Sequence, residues 1–453
     1  MKQMKVFIYI LVTAFILSSC SIQKRCQAPE LNLPDEIIAG ENDTLTIADM
    51  SWWELYSDST LSKLIKKTLR NNRNMQAAEA HIRQMEELYR VSKASRWPTI
   101  GAQLFADHET NDYYGEKFKK SPEFSLKASL GWEIDLWGSL RWGKRKGAAE
   151  YLASVEAARA MQMTLIAETA IAYFELVALD QELEIVLQTV KTREESVNQA
   201  RLRFEGGLTS ETAYQQAQVE LASASALIPE LEQKIALKEN QIAVLAGEYP
   251  SKVERGEFDL NVSLPENIPI GLPSTLLQRR PDVRQAEQQL QAAMAAVGIA
   301  YADRFPRLTI SLVGGLENDE LKGFFESPFS YVSGNLVAPL LTFGKKKAQY
   351  KASLAAYDEK RFAYEQKVLE VFREVNDAVI TYQKKRRTSE LQLNLFEAAQ
   401  KYVDLAQLQY FNGVIRYIDV LDAHRNFFDA QIGLSLSLIH ISAPTRHLRI
   451  SYA

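Results

Sequence analysis

The sequence predicts an α+β membrane fold made by tandem duplication, each copy supplying two β-strands and then a very long α-helical hairpin. Three observations predict it. Short motifs recur at a nearly constant offset through most of the 453 residues. Strictly alternating runs precede long segments free of proline. Beyond the N-terminus no stretch reaches about 18 uninterrupted apolar residues, so a membrane crossing requires a closed β-barrel.

The N-terminus is a targeting segment. Lys2 and Lys5 precede the apolar run from Val6 to Leu17, which has the length of a signal-peptide core. The run ends in Leu17-Ser18-Ser19-Cys20, which looks like a bacterial lipobox, and Cys20 is the expected lipidation site. Ser21 follows, not the Asp that often retains such proteins at the inner membrane. Cys20 and Cys26 are the two cysteines, so the rest of the chain holds no internal disulfide or thiolate metal site. A formal net charge of −4 gives no reason to expect nucleic acid as a partner.

The duplication is read directly. Ala94-Ser95-Arg96-Trp97-Pro98 returns as Ala302-Asp303-Arg304-Phe305-Pro306, 208 positions on. Leu136-Trp137-Gly138 and Thr342-Phe343-Gly344 are 206 apart, as are Gly207 and Gly413, Ala217 and Ala423, and Ala224 and Ala430. The unit is therefore a little over 200 residues long.

Strands are expected at about 98–109, 124–137, 307–317 and 331–343. In the second, Phe124, Leu126, Ala128, Leu130, Trp132, Ile134 and Leu136 share one face. Ser125, Lys127, Ser129, Gly131, Glu133 and Asp135 share the other. Such a run suits a tilted transmembrane strand better than a soluble amphipathic sheet. The fourth strand is less clean and contains Pro339. Four strands cannot close a membrane barrel, so several chains must share one. Where strand meets helix, Trp132, Trp137 and Trp142 flank Arg141, Lys144, Arg145 and Lys146, and Phe343 stands beside Lys345, Lys346 and Lys347. Aromatic residues next to basic ones suit a membrane–water interface; a solvated basic helix start is the plainer reading.

From about Gly138 to Glu205 there is no proline. Leu176, Leu179, Leu183, Leu187 and Val190 step by three and four, as do Val368, Val371, Val375, Val379 and Tyr382. These seams predict side-by-side helix packing. Gly206-Gly207 and Gly413 are the expected hairpin turns. The histidines form no metal-ligand spacing outside the C-terminal tail, and no phosphate-binding loop or nucleophile elbow is present. No catalytic residue, metal site or cofactor is expected apart from lipid on Cys20.

Gly271-Leu272-Pro273-Ser274-Thr275-Leu276-Leu277-Gln278-Arg279-Arg280-Pro281-Asp282 resembles the signature of the lipoprotein branch of the TolC/OprM-like outer-membrane factor family. The duplicated plan extends that resemblance over nearly the whole mature chain. It implies a homotrimer with a shared twelve-stranded β-barrel, a periplasmic coiled-coil tube and an equatorial region. It also implies docking to a periplasmic adaptor (membrane fusion protein) and an inner-membrane pump of the RND type. The chain is then an outer-membrane, lipid-anchored efflux duct, and cargo choice lies largely with the pump. Asp419 and Asp422 match the family's paired aspartates at the periplasmic gate. The plainer reading is that they complement a helix N-terminus, or that Asp422 pairs with Arg425.

The expected division is a signal peptide at 1–19, a lipidated and equatorial segment at 20–60, a first repeat at 61–247, a linker at 248–274 and a second repeat at 275–437. Residues 438–453 are expected to be non-native, because the seam stops and the text resembles translated adaptor sequence. The competing function is a non-conducting structural envelope lipoprotein, which accounts for the lipobox and the helices but not for the strands.

Overall fold

The computed structural model describes residues 58–111, 119–256 and 279–442. Cys20, most of the linker, the first eight residues of the 271–282 motif and residues 443–453 of the tail lie outside them. The elements in order are α1 (Ser59–Asn71), α2 (Arg73–Ala94), β1 (Thr99–Asn111), β2 (Lys119–Ile134), α3 (Ser139–Glu205) and α4 (Glu211–Leu245). The second copy gives α5 (Pro281–Ala302), β3 (Arg307–Asn318), β4 (Pro328–Val337), α6 (Lys345–Phe411) and α7 (Tyr417–Ser442). A short 3₁₀ turn, Phe324–Glu326, lies between β3 and β4. Two compact units result. Ala80–Glu156 and Val283–Lys367 belong to the first; the described parts of Asn32–Glu79, Ala157–Asp282 and Val368–Ala453 belong to the second.

In the first unit the strands form one antiparallel sheet in the order β1-β2-β3-β4. Strand β2 pairs with β3, from Phe124 opposite Asn318 to Ile134 opposite Leu308, so the two copies are sewn together along their inner strands. β1 and β4 are left as edges. The fourth strand ends at Val337, six residues before the expected limit, and begins three residues early at Pro328. Pro339 supplies no ladder donor and cannot continue it. β2 stops at Ile134 because Asp135 turns to the next element. Its carboxylate accepts from the N–H groups of Leu140 (3.1 Å) and Arg141 (2.9 Å), satisfying donors at the start of α3. Asp135 is thus a helix cap and not a wall residue.

The second unit is built on the middle of α3. There Leu165, Ala170, Ala172, Tyr173, Phe174, Leu176, Val177 and Ala178 are buried on every side. The helix contains an 18-residue window apolar enough by composition to cross a bilayer, and more than half of that window is buried inside the chain. A helix apolar all round is here a packed core. Leu61 and Ile65 of α1 close over Tyr173 and Phe174. Asp58 caps α1 through Thr60 N–H (2.7 Å) and accepts from the Tyr173 hydroxyl (2.7 Å).

The second-copy seam is buried throughout: Val368, Val371, Val375, Val379 and Tyr382 are all in the core. The first-copy seam drifts. Leu176 is buried, but Leu187 is 49% exposed and Val186 takes the inside place. An ideal helix rotates about 20° per heptad against a 3.5-residue seam, and α3 does not correct for it.

Both hairpin turns have the same geometry. Gly207 (φ 71°) and Gly413 (φ 74°) are left-handed. Leu208 N–H donates to Arg203 C=O and Gly207 N–H to Phe204 C=O; Val414 to Gln409 and Gly413 to Tyr410 repeat the pattern. These are Schellman caps, in which glycine takes the left-handed position that costs other residues most. Gly206 donates to Leu202 C=O as the last helical link. α7 continues through Ser442, five residues past the expected limit of the repeat.

Candidate functional site: channel wall and hairpin tip

In the first unit the sheet register sorts side chains into two faces. Leu104, Leu126 and Leu316 form one cross-strand row, and Ile100, Leu130, Leu312 and Val332 another, with the small residues Ala102, Ala128, Gly314 and Ser330 between them. Trp132 and Ile310, then Ile134, Leu308 and Leu336, complete an apolar face. Many of these residues are largely exposed within one chain, including Ile100, Leu104, Val332 and Leu336. So large an exposed apolar surface needs lipid or protein against it. The opposite face carries Gln103, Lys127, Ser129, Glu133, Thr309, Ser311, Glu317, Ser333 and Asn335. Lys127 pairs with Glu317 at 2.9 Å and with Glu123 at 3.8 Å on that face. One greasy face and one hydrated, charge-paired face describe the wall of a water-filled barrel.

The aromatic residues expected at the interface are partly engaged inside the chain. Trp132 is exposed and its indole N–H donates to Arg96 C=O at 3.2 Å. Trp137 donates to Pro306 C=O at 2.7 Å and stacks on Phe305 at 4.5 Å. Trp142 lies against Gly298, where an added Cβ would overlap the indole, and Arg145 covers its ring at 4.6 Å. Phe343 is 99% exposed, at φ 45°, next to Gly344. Trp132 and Phe343 therefore remain open to a lipid interface, while Trp137 and Trp142 fasten the first copy's strand–helix junction to the second copy.

In the second unit the chemistry gathers near the second hairpin turn. Asp419, the third residue of α7, accepts from Arg416 N–H at 2.9 Å, which is half of a capping box. Asp422 is exposed and accepts from Asn426 Nδ2 at 3.1 Å and, more weakly, from the Tyr402 hydroxyl at 3.4 Å. Burial and the Asp422 charge push Tyr402 above its ordinary pKa. Arg425 bonds Glu220 of α4 (Nε to Oε1, 2.9 Å), while Asp422 acts on it only as a nearby charge. Arg193 of α3 meets the other Glu220 oxygen at 3.2 Å and has its guanidinium over the Phe428 ring. Glu220 thus joins both helices of the first hairpin to the return helix of the second. The 206-residue offset puts Asn426 in Glu220's place and Ala399 in Arg193's, so neither has a charged counterpart in the second copy and no repeat comparison reveals the cluster. Burial holds Arg193 below the usual arginine range, and burial pushes Tyr417 up to about 12. His424 is pushed down by burial and by Arg193, and its Nε2 meets the Gln407 amide at 3.0 Å. Among the described residues no cluster suited to a metal ion is found.

The 271–282 motif reaches the described residues at Arg279. Arg280 forms a bidentate pair with Asp282 (2.9 and 2.7 Å) and reaches Glu374 of α6 at 2.7 Å. Pro281 opens α5, where a missing N–H costs nothing. In this unit the motif pins a helix start to the second hairpin.

Known proteins carry the same plan. The family model described as outer membrane efflux protein matches residues 64–248 and 272–437. The chain belongs to the outer membrane efflux protein family. It is 28% identical over 443 residues to the antibiotic efflux pump outer membrane protein ArpC of Pseudomonas putida, covering 95% of this chain and 91% of that one. It is 28% identical to the probable outer membrane lipoprotein SilC of Salmonella typhimurium, covering 92% of each. The solved outer-membrane channel OprN superposes with a TM-score of 0.86 at 25% identity, over 94% of this chain and 98% of that one. This efflux protein is accordingly an outer-membrane duct of an export system, and its family is one of channels rather than enzymes.

Proposed function

We propose that three copies close one twelve-stranded barrel, edge β1 of each chain meeting edge β4 of the next, and that Cys20 carries the lipid anchor. The duct then receives cargo from an inner-membrane pump, of the RND type, through a periplasmic adaptor, and does no chemistry on it. The observation that carries this reading is the four-stranded sheet with an apolar face, a hydrated face and two open edges. A sheet of four is below the minimum of about eight for a membrane barrel, and its edges are unpaired. Asp419 and Asp422 line the closed tip in this reading. Arg425 spends its hydrogen bonds on Glu220, so Asp422 acts on it only as a nearby charge, and Asp419 meets the Arg416 N–H and, at 4.0 Å, its guanidinium through one of its two oxygens. Three chains then bring six carboxylates to one opening, which favours cations. The test is planar-bilayer conductance of the purified protein. Cation-selective channels whose selectivity falls in the Asp419→Asn/Asp422→Asn double variant are expected. Protein that inserts but never conducts leaves the structural lipoprotein reading standing.

A further inference from the structure

The hydrated face of the sheet has one feature that a passive wall does not need. Phe329 and Tyr331 of β4 lie on the same face as Lys127, Ser129 and Glu317. Their rings stack at 6.2 Å with 21° between planes, and within one chain, before the next chain's β1 pairs with β4, Tyr331 is 53% exposed. Aromatic side chains on a water-facing wall forfeit burial unless something covers them. Between Lys127 and Phe329 in the cross-strand row stands Gly315. A Cβ there would overlap the backbone of Leu126, so the position is held to glycine, and the notch is the place in this row where no side chain stands between Lys127 and Phe329.

The Lys127 ammonium leans across this notch. It reaches the Glu317 carboxylate at 2.9 Å, Glu123 at 3.8 Å and the Phe329 ring at 5.8 Å from its centroid. The chain's own cation thus shows that the notch accepts a positive charge between carboxylate and ring face. Among the described contacts of Lys127, two carboxylates face one ammonium. Both glutamates are close to half exposed. A second, independent observation points the same way. Ser125, between Glu123 and Lys127 on this face and opposite Glu317, is fully buried, and its hydroxyl has no hydrogen-bond partner among the described residues. A fully buried, unpartnered hydroxyl in the floor of a charged notch is a polar group awaiting a ligand or an ordered water.

We propose that this notch is a weak transit site for lipophilic aromatic cations, with Phe329 and Tyr331 taking the rings and Glu317 and Glu123 the charge. The proposal rests on the channel reading, since it makes the polar face the lumen. It is separate from Asp419 and Asp422, which belong to the other unit.

The test is single-channel recording with tetraphenylphosphonium in the Asp419→Asn/Asp422→Asn background, which removes the tip carboxylates. Tetraphenylphosphonium should block with dwell times longer than those of tetraethylammonium, which has the charge without the rings. Tetraphenylborate should not block. The Phe329→Ala/Tyr331→Ala variant should shorten the tetraphenylphosphonium dwell by about three-fold, the size of one exposed cation–π contact. Glu317→Gln should shorten the dwell of both cations. Equal block by the two cations, or tetraphenylphosphonium dwell unchanged in the aromatic variant, overturns the proposal. A preparation without conductance fails the channel reading instead. Tetraphenylphosphonium uptake by detergent-solubilised protein, read with an ion-selective electrode, then decides: uptake equal in wild type and the aromatic variant overturns the notch.

Discussion

Replacing Glu220 by Gln removes the one carboxylate shared by Arg193 and Arg425 while keeping the side chain's shape. The side chains of Glu220 and Arg193 are 10% and 14% exposed, so that half of the cluster is nearly desolvated. Breaking a fully buried pair by neutralising one partner costs about 3–5 kcal/mol. Three features lower the figure here. Arg425 is 58% exposed, and its half is worth no more than about 1 kcal/mol. Asp429 still acts on Arg193 from α7, and the Phe428 ring still covers it. A loss of about 2 kcal/mol is therefore expected, which is about thirty-fold in an equilibrium constant. Because Glu220 joins the first hairpin to α7, the loss falls on the packing that holds Asp419 and Asp422 in place. The assay is open probability in planar bilayers beside thermal unfolding in detergent. Glu220→Gln should raise open probability by at least ten-fold, and Arg425→Gln should raise it less. The double variant should show less than the sum of the two, as contacting residues do. Glu220→Gln with wild-type open probability and unchanged unfolding would refute the reasoning, because a buried guanidinium cannot lose its counter-ion without cost.

Four further outcomes are expected. Gly315→Ala forces a Cβ into the Leu126 backbone and should abolish barrel assembly, read as loss of the heat-modifiable oligomer on gels. Gly247→Ala meets both a φ of 72° and the Asn71 carbonyl, and should cost more than about 1 kcal/mol, read as a lower unfolding temperature. His424 has its folded pKa below the ordinary 6.5, so its neutral form is the one the fold holds. Stability from this site is present above about pH 6.5 and is lost as pH falls toward the depressed value; unfolding temperature should fall across that window, and less so in His424→Gln, where Gln407, Arg193 and Glu220 no longer face a proton-binding ring. Cys20→Ser should release the mature protein from its acyl chains, seen by mass spectrometry of the N-terminal peptide, where wild type carrying a free thiol would sink the assignment.

What the sequence made legible is what the duplication writes twice. The two Schellman turns and the buried alanine pairs Ala217/Ala423 and Ala224/Ala430 follow from motifs repeated at an offset of 206, and the faces of β2 and β3 from their alternation of period two. Local rules suffice there, since a period of two or a left-handed glycine depends on a few neighbours. Boundaries were less legible. Asp135 fits the alternation of β2 yet spends its carboxylate on α3, because a side-chain cap and a strand position look alike in sequence. The second seam read correctly along its length, but the first slid from Leu187 to Val186, since helical drift accumulates and only the packing partners decide where it is corrected.

The residues that escaped sequence reading are those where the copies differ, and they share a physical origin. A duplicated unit repeated without change gives two hairpins with the same preferred packing and no reason for one to differ from the other. Glu220 has no counterpart acid in the second copy, nor Arg425 a counterpart base in the first, whose place is held by Val219. Asp419 and Asp422, which the sequence did show, likewise lack acidic counterparts, Ala213 and Gln216 standing in their places. Charges placed in one copy alone give the second hairpin an acidic surface and the first hairpin the basic and acidic groups that hold it. Each half of that arrangement is silent by itself: Arg193 and Glu220 lie 27 positions apart on opposite arms of a hairpin, and Arg425 lies 205 beyond Glu220. Their meeting is set by how the two hairpins pack, which no period or motif encodes. Asymmetry between copies is thus the place to look for function in a duplicated chain, and here it gathers Asp419, Asp422 and the Glu220-bound Arg425 within a single turn or two of α7.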